Sequence, residues 1–511
     1  MSKTRRALAL LLAAALCALC LPALAEAAPE KVQLTAVSRL HSLTPSFDES
    51  PVWQAIEEAA GVEIKWEINY SDWNERKAVL IGTNQMPDLW IGEYNLDISD
   101  IQSNQEAFVR LNDYIDASTN VKKMFDECPQ LLDAVAFPDG SIYSIPQYQA
   151  GGIRTTSDAV FINKTWLDYC GLDVPTTLDE LYEALAAFKE KDPNQNGKAD
   201  EIPLVDAVEA INWLINSYGL TMNHDGMWLG VDDDNNPYFV ADKEGFKEAV
   251  KFLAKVYQNG LCDPETFTQH WSEYYAYCAQ EDAIGGVGIA WTIEALMAQH
   301  SDQYVYLPPL AGPDGQRAWN TAGSPARPVG YAISATCKDI DAAWRVIETA
   351  YSKDFGLQLA FGQFDGPADK QSLTLNEDGT YSISYPPEGT TWDTWTISST
   401  AFRAHSYVDA ETYAKIHVTP DMQATLDIEE VYTPFMPAHV MPSCYIFDSD
   451  INDELSVIKT DITSLIRTRI AAWCTGELDI ETDWPDYLAE LDALGLERYC
   501  EIYFDRYNAN K

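Results

Sequence analysis

The chemistry most plainly written into this chain lies at Asp192-Pro193-Asn194-Gln195-Asn196-Gly197-Lys198-Ala199-Asp200-Glu201. Short oxygen-bearing side chains fall at alternate positions, Asp192, Asn194 and Asn196, and Gly197 stands where the chain must turn sharply. Ca2+ takes about six to eight oxygen ligands, which a tight loop supplies when every second residue points inward. The expected set is the side chains of Asp192, Asn194, Asn196, Asp200 and Glu201 with the backbone carbonyl of Lys198. The spacing follows the start of an EF-hand loop but not its end, because Pro203 stands where the closing bidentate Glu belongs. Glu201 therefore reads as the closing carboxylate, and the exit reads as a strand. The plainer alternative is an acidic solvated turn, since Asp, Asn and Gly are turn formers in any case. An ion here would clamp the end of a helix predicted over 177–191 to the start of a strand, which is structural work and not catalysis.

A second set of residues suits sugar binding. Sugars present C–H faces ringed by hydroxyls, so their receptors use aromatic platforms flanked by fixed polar groups. The chain has 15 Trp and 27 Tyr. Tyr94, Tyr148, Trp213, Trp271, Trp291, Tyr331, Trp392 and Trp395 stand in or beside loops expected to face a cleft. Trp291 and Tyr331 lead, each following or opening a short strand near a predicted lobe crossing. Arg327, just ahead of that crossing, offers a planar fork for hydroxyls or a carboxylate, and Glu93 and Asp365 are further polar candidates. Ordinary core or surface packing, or a surface ion pair for Arg327, is the competing reading at each position. Trp166 reads as core, and His270 and His405 as surface histidines without spaced partners.

These residues need elements to hold them. Val32 to Leu40, Val62 to Ile68 and Asp88 to Ile91 read as strands, separated by helices over 50–60 and 74–82. Alternation of strand and helix implies an α/β protein with a mainly parallel sheet, and in such sheets ligands bind beyond the carboxyl ends of the strands. That rule nominates the loops 38–47 and 93–95. Further along, Asp139 to Tyr148 is hairpin-like, and Ala159 to Ile162 is a strand feeding a helix to Cys170. Lys243 to Asn259 has helical periodicity, with Gly260 as its stop. The short strands before Trp291 and at 329–334 come next, followed by a helix over 339–351 and helices over 456–473 and 484–508.

Residues 1–25 read as a secretory signal: Lys3, Arg5 and Arg6, an apolar run to Leu21, then Ala23-Leu24-Ala25. The apolar run is short of the roughly 20 residues a membrane span needs. Cys17 and Cys20 both follow Leu, where a lipoprotein signal prefers a small residue, so cleavage before Glu26 is favoured over a lipid anchor. The mature chain is expected to be exported, to the periplasm or the cell exterior. The full sequence carries a net charge of -45, which argues against nucleic acid, whose phosphates require Lys and Arg, and against anionic membranes. The remaining cysteines are scattered without a CxxC pair, which makes zinc improbable and leaves disulfides and buried thiols both open.

Several segments together resemble the family 1 extracellular solute-binding proteins, the carbohydrate receptors of ABC importers, in their long subgroup with an integral calcium loop. They are Asp139-Gly140-Ser141-Ile142-Tyr143-Ser144-Ile145-Pro146, Ile162 to Asp168 with Gly171 to Thr177, the loop at 192–204, Gly260 to Glu265, Trp473 to Gly476, and Asp505 to Tyr507. Alginate-oligosaccharide binders are similar in the same loop. The resemblance implies a periplasmic-binding-protein-like type II fold: two lobes joined by hinge strands, closing on an oligosaccharide and docking on the permease subunits of a transporter, without catalysis and as a monomer. Its implied division is 26–155 in the N-lobe, 156–326 in the C-lobe, 327–370 returning to the N-lobe, and 371–511 in the C-lobe and terminal helices. Two other functions remain open at this point. A secreted glycoside hydrolase could draw a carboxylate pair from 79 acidic residues, although spacing singles out none and no nucleophile elbow, HExxH or P-loop occurs. In a calcium-stabilised structural or adhesive protein, the loop would itself be the function.

Overall fold

The computed structural model describes residues 31–129, 131–149, 155–222, 227–269, 271–321, 327–442 and 445–509. The signal segment, with Cys17 and Cys20, and also His270 and Cys444, lie outside the described residues. The strands are β1 (Val32–Arg39), β2 (Val62–Asn69), β3 (Leu89–Ile91), β4 (Ser144–Gln149), β5 (Ala159–Asn163), β6 (Ile202–Leu204), β7 (Leu229–Val231), β8 (Pro237–Phe239), β9 (Gly285–Ala290), β10 (Tyr304–Tyr306), β11 (Arg327–Ile333), β12 (Gln363–Phe364), β13 (Ser372–Leu375), β14 (Tyr381–Ile383) and β15 (Tyr407–Val408).

Two sheets carry the architecture. One has the order β15-β4-β11-β3-β1-β2 and the other β10-β5-β9-β6. In the first, β1 pairs parallel with β2 and β3, while β11 runs antiparallel between β3 and β4. Its core gathers Trp53, Ile91, Ile145, Tyr331 and Ile347. In the second, β5 is antiparallel to β9 and β10, and β6 is parallel to β9. The fully buried runs of β5 and β9 meet helix Leu178–Lys191 and helix Glu244–Gln258, with Trp166, Phe188, Leu253 and Ile466 in one core. Strands buried on both faces read as continuous apolar runs, which is what Ala159–Asn163 shows.

The chain passes between the sheets three times, and these passages fix where a ligand could sit. β4 leads from its carboxyl end into β5, β10 leads into β11, and β15 leads towards helix Pro420–Tyr432. The first two passages join the same pair of edges, so those edges face each other; the third runs first through helix Ala410–Tyr413 and a bridge from Ile416 to Tyr381. On the first sheet the edge holds the carboxyl ends of β1, β3 and β4 with the amino end of β11; on the second it holds the carboxyl ends of β6 and β9 with the amino end of β5. The passages are tied together. Thr156 and Thr321 form an antiparallel bridge. The Glu429 carboxylate accepts from Thr155 N at 2.8 Å, Thr155 Oγ1 at 2.7 Å and Thr156 N at 3.1 Å. The Tyr432 hydroxyl accepts from Val160 N at 3.0 Å and lies 2.9 Å from Leu307 O.

Glu429 is held below its ordinary pKa, because these hydrogen bonds outweigh partial burial. A depressed carboxyl pKa contributes stability that is present above the unfolded value and is lost as pH falls through the folded one. Glu429→Gln is therefore expected to cost about 1 kcal/mol near neutral pH, discounted for solvent screening. The gap from the parent should narrow as urea melts are taken below pH 4.5.

β15 pairs with β4, and Ala401, Ala404 and Tyr407 enter the first core. Two expectations about elements are corrected. The C-terminal helix expected over 484–508 is two helices, Ile480–Ala493 and Leu496–Ala509, broken at Gly495 with φ +95°. The stretch 139–148 is a turn feeding β4, whose partners are the distant β11 and β15, and only Ala136 and Ile142 bridge locally.

Candidate functional site: two facing sheet edges, a cavity and an oxygen-rich loop

On the first edge, Gly92, Glu93 and Tyr94 follow β3. Gly92 has φ +109°, and a Cβ there would come within 2.9 Å of Arg403 O, so the close approach of segment 401–404 requires glycine. Glu93 N donates to Arg403 O at 2.6 Å, fixing the loop. The Glu93 carboxylate pairs with Arg327 Nε at 3.2 Å. Burial pushes the Glu93 pKa up, opposed by the charges of Arg327 and Arg403. Tyr94, at φ +63° and 45% exposed, lies beside both guanidiniums, 5.9 Å from Arg327 and 5.2 Å from Arg403. The result is an exposed ring walled by two cations, one of them paired with an acid. Asn95 is taken up by bracing: its Oδ1 accepts from Arg39 N at 2.6 Å, which joins the ends of β1 and β3.

On the second edge Trp291 follows β9 directly and is 50% exposed. Asp206 follows β6 and caps helix Ala207–Leu214, accepting from Glu209 N at 3.2 Å. Burial pushes the Asp206 pKa up, against the hydrogen bonds from Glu209 and Val208. Asp158, immediately before β5, and Asp206 line a cavity of about 740 Å³ with Glu209, Asn212, Trp228, Gln269 and Arg467 among its walls. Polar hydrogen-bonding groups beside an indole suit a hydroxyl-rich ligand, and the volume falls within the range of ligand clefts.

The sequence candidates divide on burial. Tyr94, Trp291, Arg327 and Glu93 lie at the facing edges. Tyr331 does not: it is fully buried, with its hydroxyl donating to Ala404 O at 2.9 Å and its ring edge-on to Tyr351. Its strand runs through the middle of the sheet, so the residue turns inward. Tyr331→Phe is expected to lose about 1 kcal/mol of stability in urea melts and to leave ligand affinity unchanged. Trp213 and Trp395 are likewise buried, 4% exposed each, as core residues of their helices. Tyr148 is half-buried and stacks on Tyr407 at 6.1 Å, inside the first lobe. Trp392 packs edge-on to Tyr385 in the satellite cluster around β12–β14, and Asp365 is exposed at a turn there. The Trp271 side chain lies outside the described residues. His405 is no surface group: it is half-buried beside Phe402, and burial pushes its pKa down to about 4.

Sequence reading missed Asp158, Asp206, Asn212, Trp228, Arg403 and Arg467. The rule that nominated the loops after β1 and β3 would have found Asp206, had it been applied to β6. Arg403 and Arg467 carry no local signal, since distant packing brings them in.

The loop 192–201 is built as an oxygen cage. Helix Leu178–Lys191 ends at Asp192 in the left-handed region (φ 45°), and Gln195 and Gly197 turn the same way. Asn196 N donates to Asn194 Oδ1 at 3.0 Å, Lys198 N to Asn196 Oδ1 at 2.8 Å, and Gly197 N to Asp192 Oδ2 at 3.1 Å. The amides of Asn194 and Asn196 both reach Asp200 Oδ1 at 3.2 Å. Asp192 Oδ1 and Glu201 Oε1 are buried without a hydrogen-bond partner. Burial pushes the Glu201 pKa up, and the charges of Asp192 and Asp200 push it further. Among the described residues no three His, Cys, Asp or Glu side chains converge as a metal set, so a cation here would also draw on the two Asn side chains and the Lys198 carbonyl. Two orphaned, mutually repelling carboxylate oxygens fit such a cation.

Residues 52–374 match the bacterial extracellular solute-binding protein family. The chain belongs to that family. It is 30% identical over 499 residues to the fructooligosaccharide ABC transporter substrate-binding protein FusA of Streptococcus pneumoniae serotype 4, covering 94% of this chain and 90% of FusA. The solved structure of FusA with kestose superposes with a TM-score of 0.81 at 28% identity, covering 94% of this chain and all of that one. An EF-hand mutant of FusA has been solved with fructo-nystose, also with a TM-score of 0.81. The alginate-binding protein AlgQ2, solved without calcium ion, shares the fold at 21% identity and a TM-score of 0.70, covering 94% of this chain and 98% of that one. The fold is that of type II solute-binding proteins, with two lobes, as the resemblance implied. At the level of the family, such chains are binding proteins and not enzymes. No helix among the described residues is long and apolar enough to cross a membrane, and the seven described cysteines are free thiols.

Proposed function

We propose that this protein is the substrate-binding component of an ABC importer, which captures an oligosaccharide between its two lobes and hands it to the permease. The observation that carries the reading is the pairing of exposed rings, Tyr94 on one sheet edge and Trp291 on the other, together with the cavity lined by Asp158, Asp206 and Asn212. Full-length likeness to FusA supports it. Groups contributed from both edges meet one ligand together only when the lobes are closed. Ligand thus favours the closed form through that difference in affinity, which gives the permease a signal to read. Arg327, Arg403 and Glu93 form a fixed donor–acceptor set around Tyr94; Asp158, Asp206 and Asn212 do the same in the cavity.

The loop 192–201 holds Ca2+ in this reading, through Asp192, Asn194, Asn196, Asp200, Glu201 and the Lys198 carbonyl. When bound, the ion neutralises the carboxylates and braces the junction of helix Leu178–Lys191 with β6. Its part is structural.

The test is a thermal-shift panel followed by calorimetry in calcium. The panel begins with kestose and longer fructooligosaccharides and includes milk, galacturonate and alginate oligosaccharides. A saturable rise in melting temperature with one class, without turnover of the sugar, is expected. Hydrolysis of any panel member would replace this reading with an enzymatic one, and silence across glycans with a peptide-pool response would move the ligand to another class.

A further inference from the structure

One carboxylate at the oxygen-rich loop comes from outside it. Asp282 stands three residues before β9, and its Oδ2 accepts from Asn196 Nδ2 at 3.1 Å and lies 3.5 Å from Lys198 Nζ. The neighbouring Ala283 O accepts from Asn194 Nδ2 at 3.3 Å, and Ile284 O accepts from Ile202 N at 2.8 Å. Both central amides of the loop are therefore held from the segment 282–284. Alongside them, the Asp192 and Glu201 oxygens are buried and orphaned, and Glu201 is only 3% exposed.

We infer that Asp282 is a positioning residue of the calcium site, an inference that rests on the calcium reading above. An asparagine can serve a metal only through its amide oxygen, so something must hold the amide nitrogen on the other side. Residues that orient ligands in this way typically set affinity by about 10- to 100-fold. The Asn196 nitrogen is shared between two carboxylates, reaching Asp200 Oδ1 and Oδ2 at 3.2 and 3.1 Å inside the loop and Asp282 Oδ2 at 3.1 Å outside it, so Asp282 is the acceptor that keeps the nitrogen when Asp200 turns to a cation. Its negative charge adds to the field that draws a divalent cation. The site thereby becomes a joint between two segments, 192–201 and 282–285, and not a self-contained loop. A simple surface ion pair with Lys198 would not require the Asn196 contact, nor the parallel grip of Ala283 O on Asn194.

The test is calcium calorimetry on the full chain and its Asp282→Asn and Asp282→Ala variants, with melting temperatures measured in calcium and in chelator. The expected result is a calcium Kd raised about tenfold or more in Asp282→Ala and less in Asp282→Asn, which keeps an acceptor oxygen. Melting temperatures in chelator should coincide across all three proteins. An unchanged Kd in Asp282→Ala overturns the inference. So does a melting loss of equal size with and without chelator, which would make Asp282 a plain tie between loop and strand. If the parent chain binds no calcium, the calcium reading itself fails, a result distinct from either.

Discussion

Trp291→Ala is expected to weaken oligosaccharide binding by at least about tenfold, or roughly 1.4 kcal/mol. The ring is half-exposed at the end of β9, on the edge that faces the first lobe. Deleting a surface ring outside the core leaves stability within about 0.5 kcal/mol. Loss of affinity without loss of melting temperature is thus the signature of a contact residue, and calorimetry with the sugar found in the panel reads it. Equal affinity for parent and variant would remove Trp291 from the site and leave the cavity around Asp206 to carry recognition. The buried Trp213 and Trp395 should behave in the opposite way, because their loss would open cavities in the core.

Removing calcium is expected to have the largest effect on stability. A ligand that binds only the folded state adds about 4 kcal/mol when it stands 1,000-fold above its Kd. For a lobe of this size that corresponds to roughly 10 °C in melting temperature. The second lobe should soften first in chelator, because helix Leu178–Lys191 and β6 both start or end at the loop. Hydrogen exchange would locate the loosening there, with protection in β1, β2 and β3 unchanged. A melt identical in calcium and chelator would take the ion out of the account. It would also leave buried Asp192 Oδ1 and Glu201 Oε1 without a cation to balance them.

Local signals and distant packing divide what the sequence could say. The loop 192–201 is legible because its oxygen-bearing residues are contiguous and their spacing is a property of one turn. The strands Val32–Arg39 and Ala159–Asn163 were legible because burial on one or both faces leaves its period in the residue order. Tyr331 was misread for a physical reason: it stands on β11, whose amino end reaches the cleft edge at Arg327 while its middle lies deep in the sheet. Three residues of strand separate an edge group from a core one, and composition does not mark the change. Arg403 was invisible in the same way. It reaches Tyr94 only because Gly92 lets the segment 401–404 lie against the β3 loop. The break at Gly495 was available in principle, since a glycine within a helical run is a stop signal.

The placement of β11 also bears on how the polypeptide is made. It sits between β3 and β4, so residues synthesised near position 330 must be threaded into a sheet begun near position 32. Until they arrive, β3 and β4 have no shared neighbour, and the core around Ile91 and Ile145 lacks Tyr331, Ile333 and Ile347. β15 completes that sheet later still, at residue 408. Pairings of such long range are slow to form, because the intervening chain must be ordered first. A nascent chain built this way leaves the first sheet unfinished until its later strands have emerged.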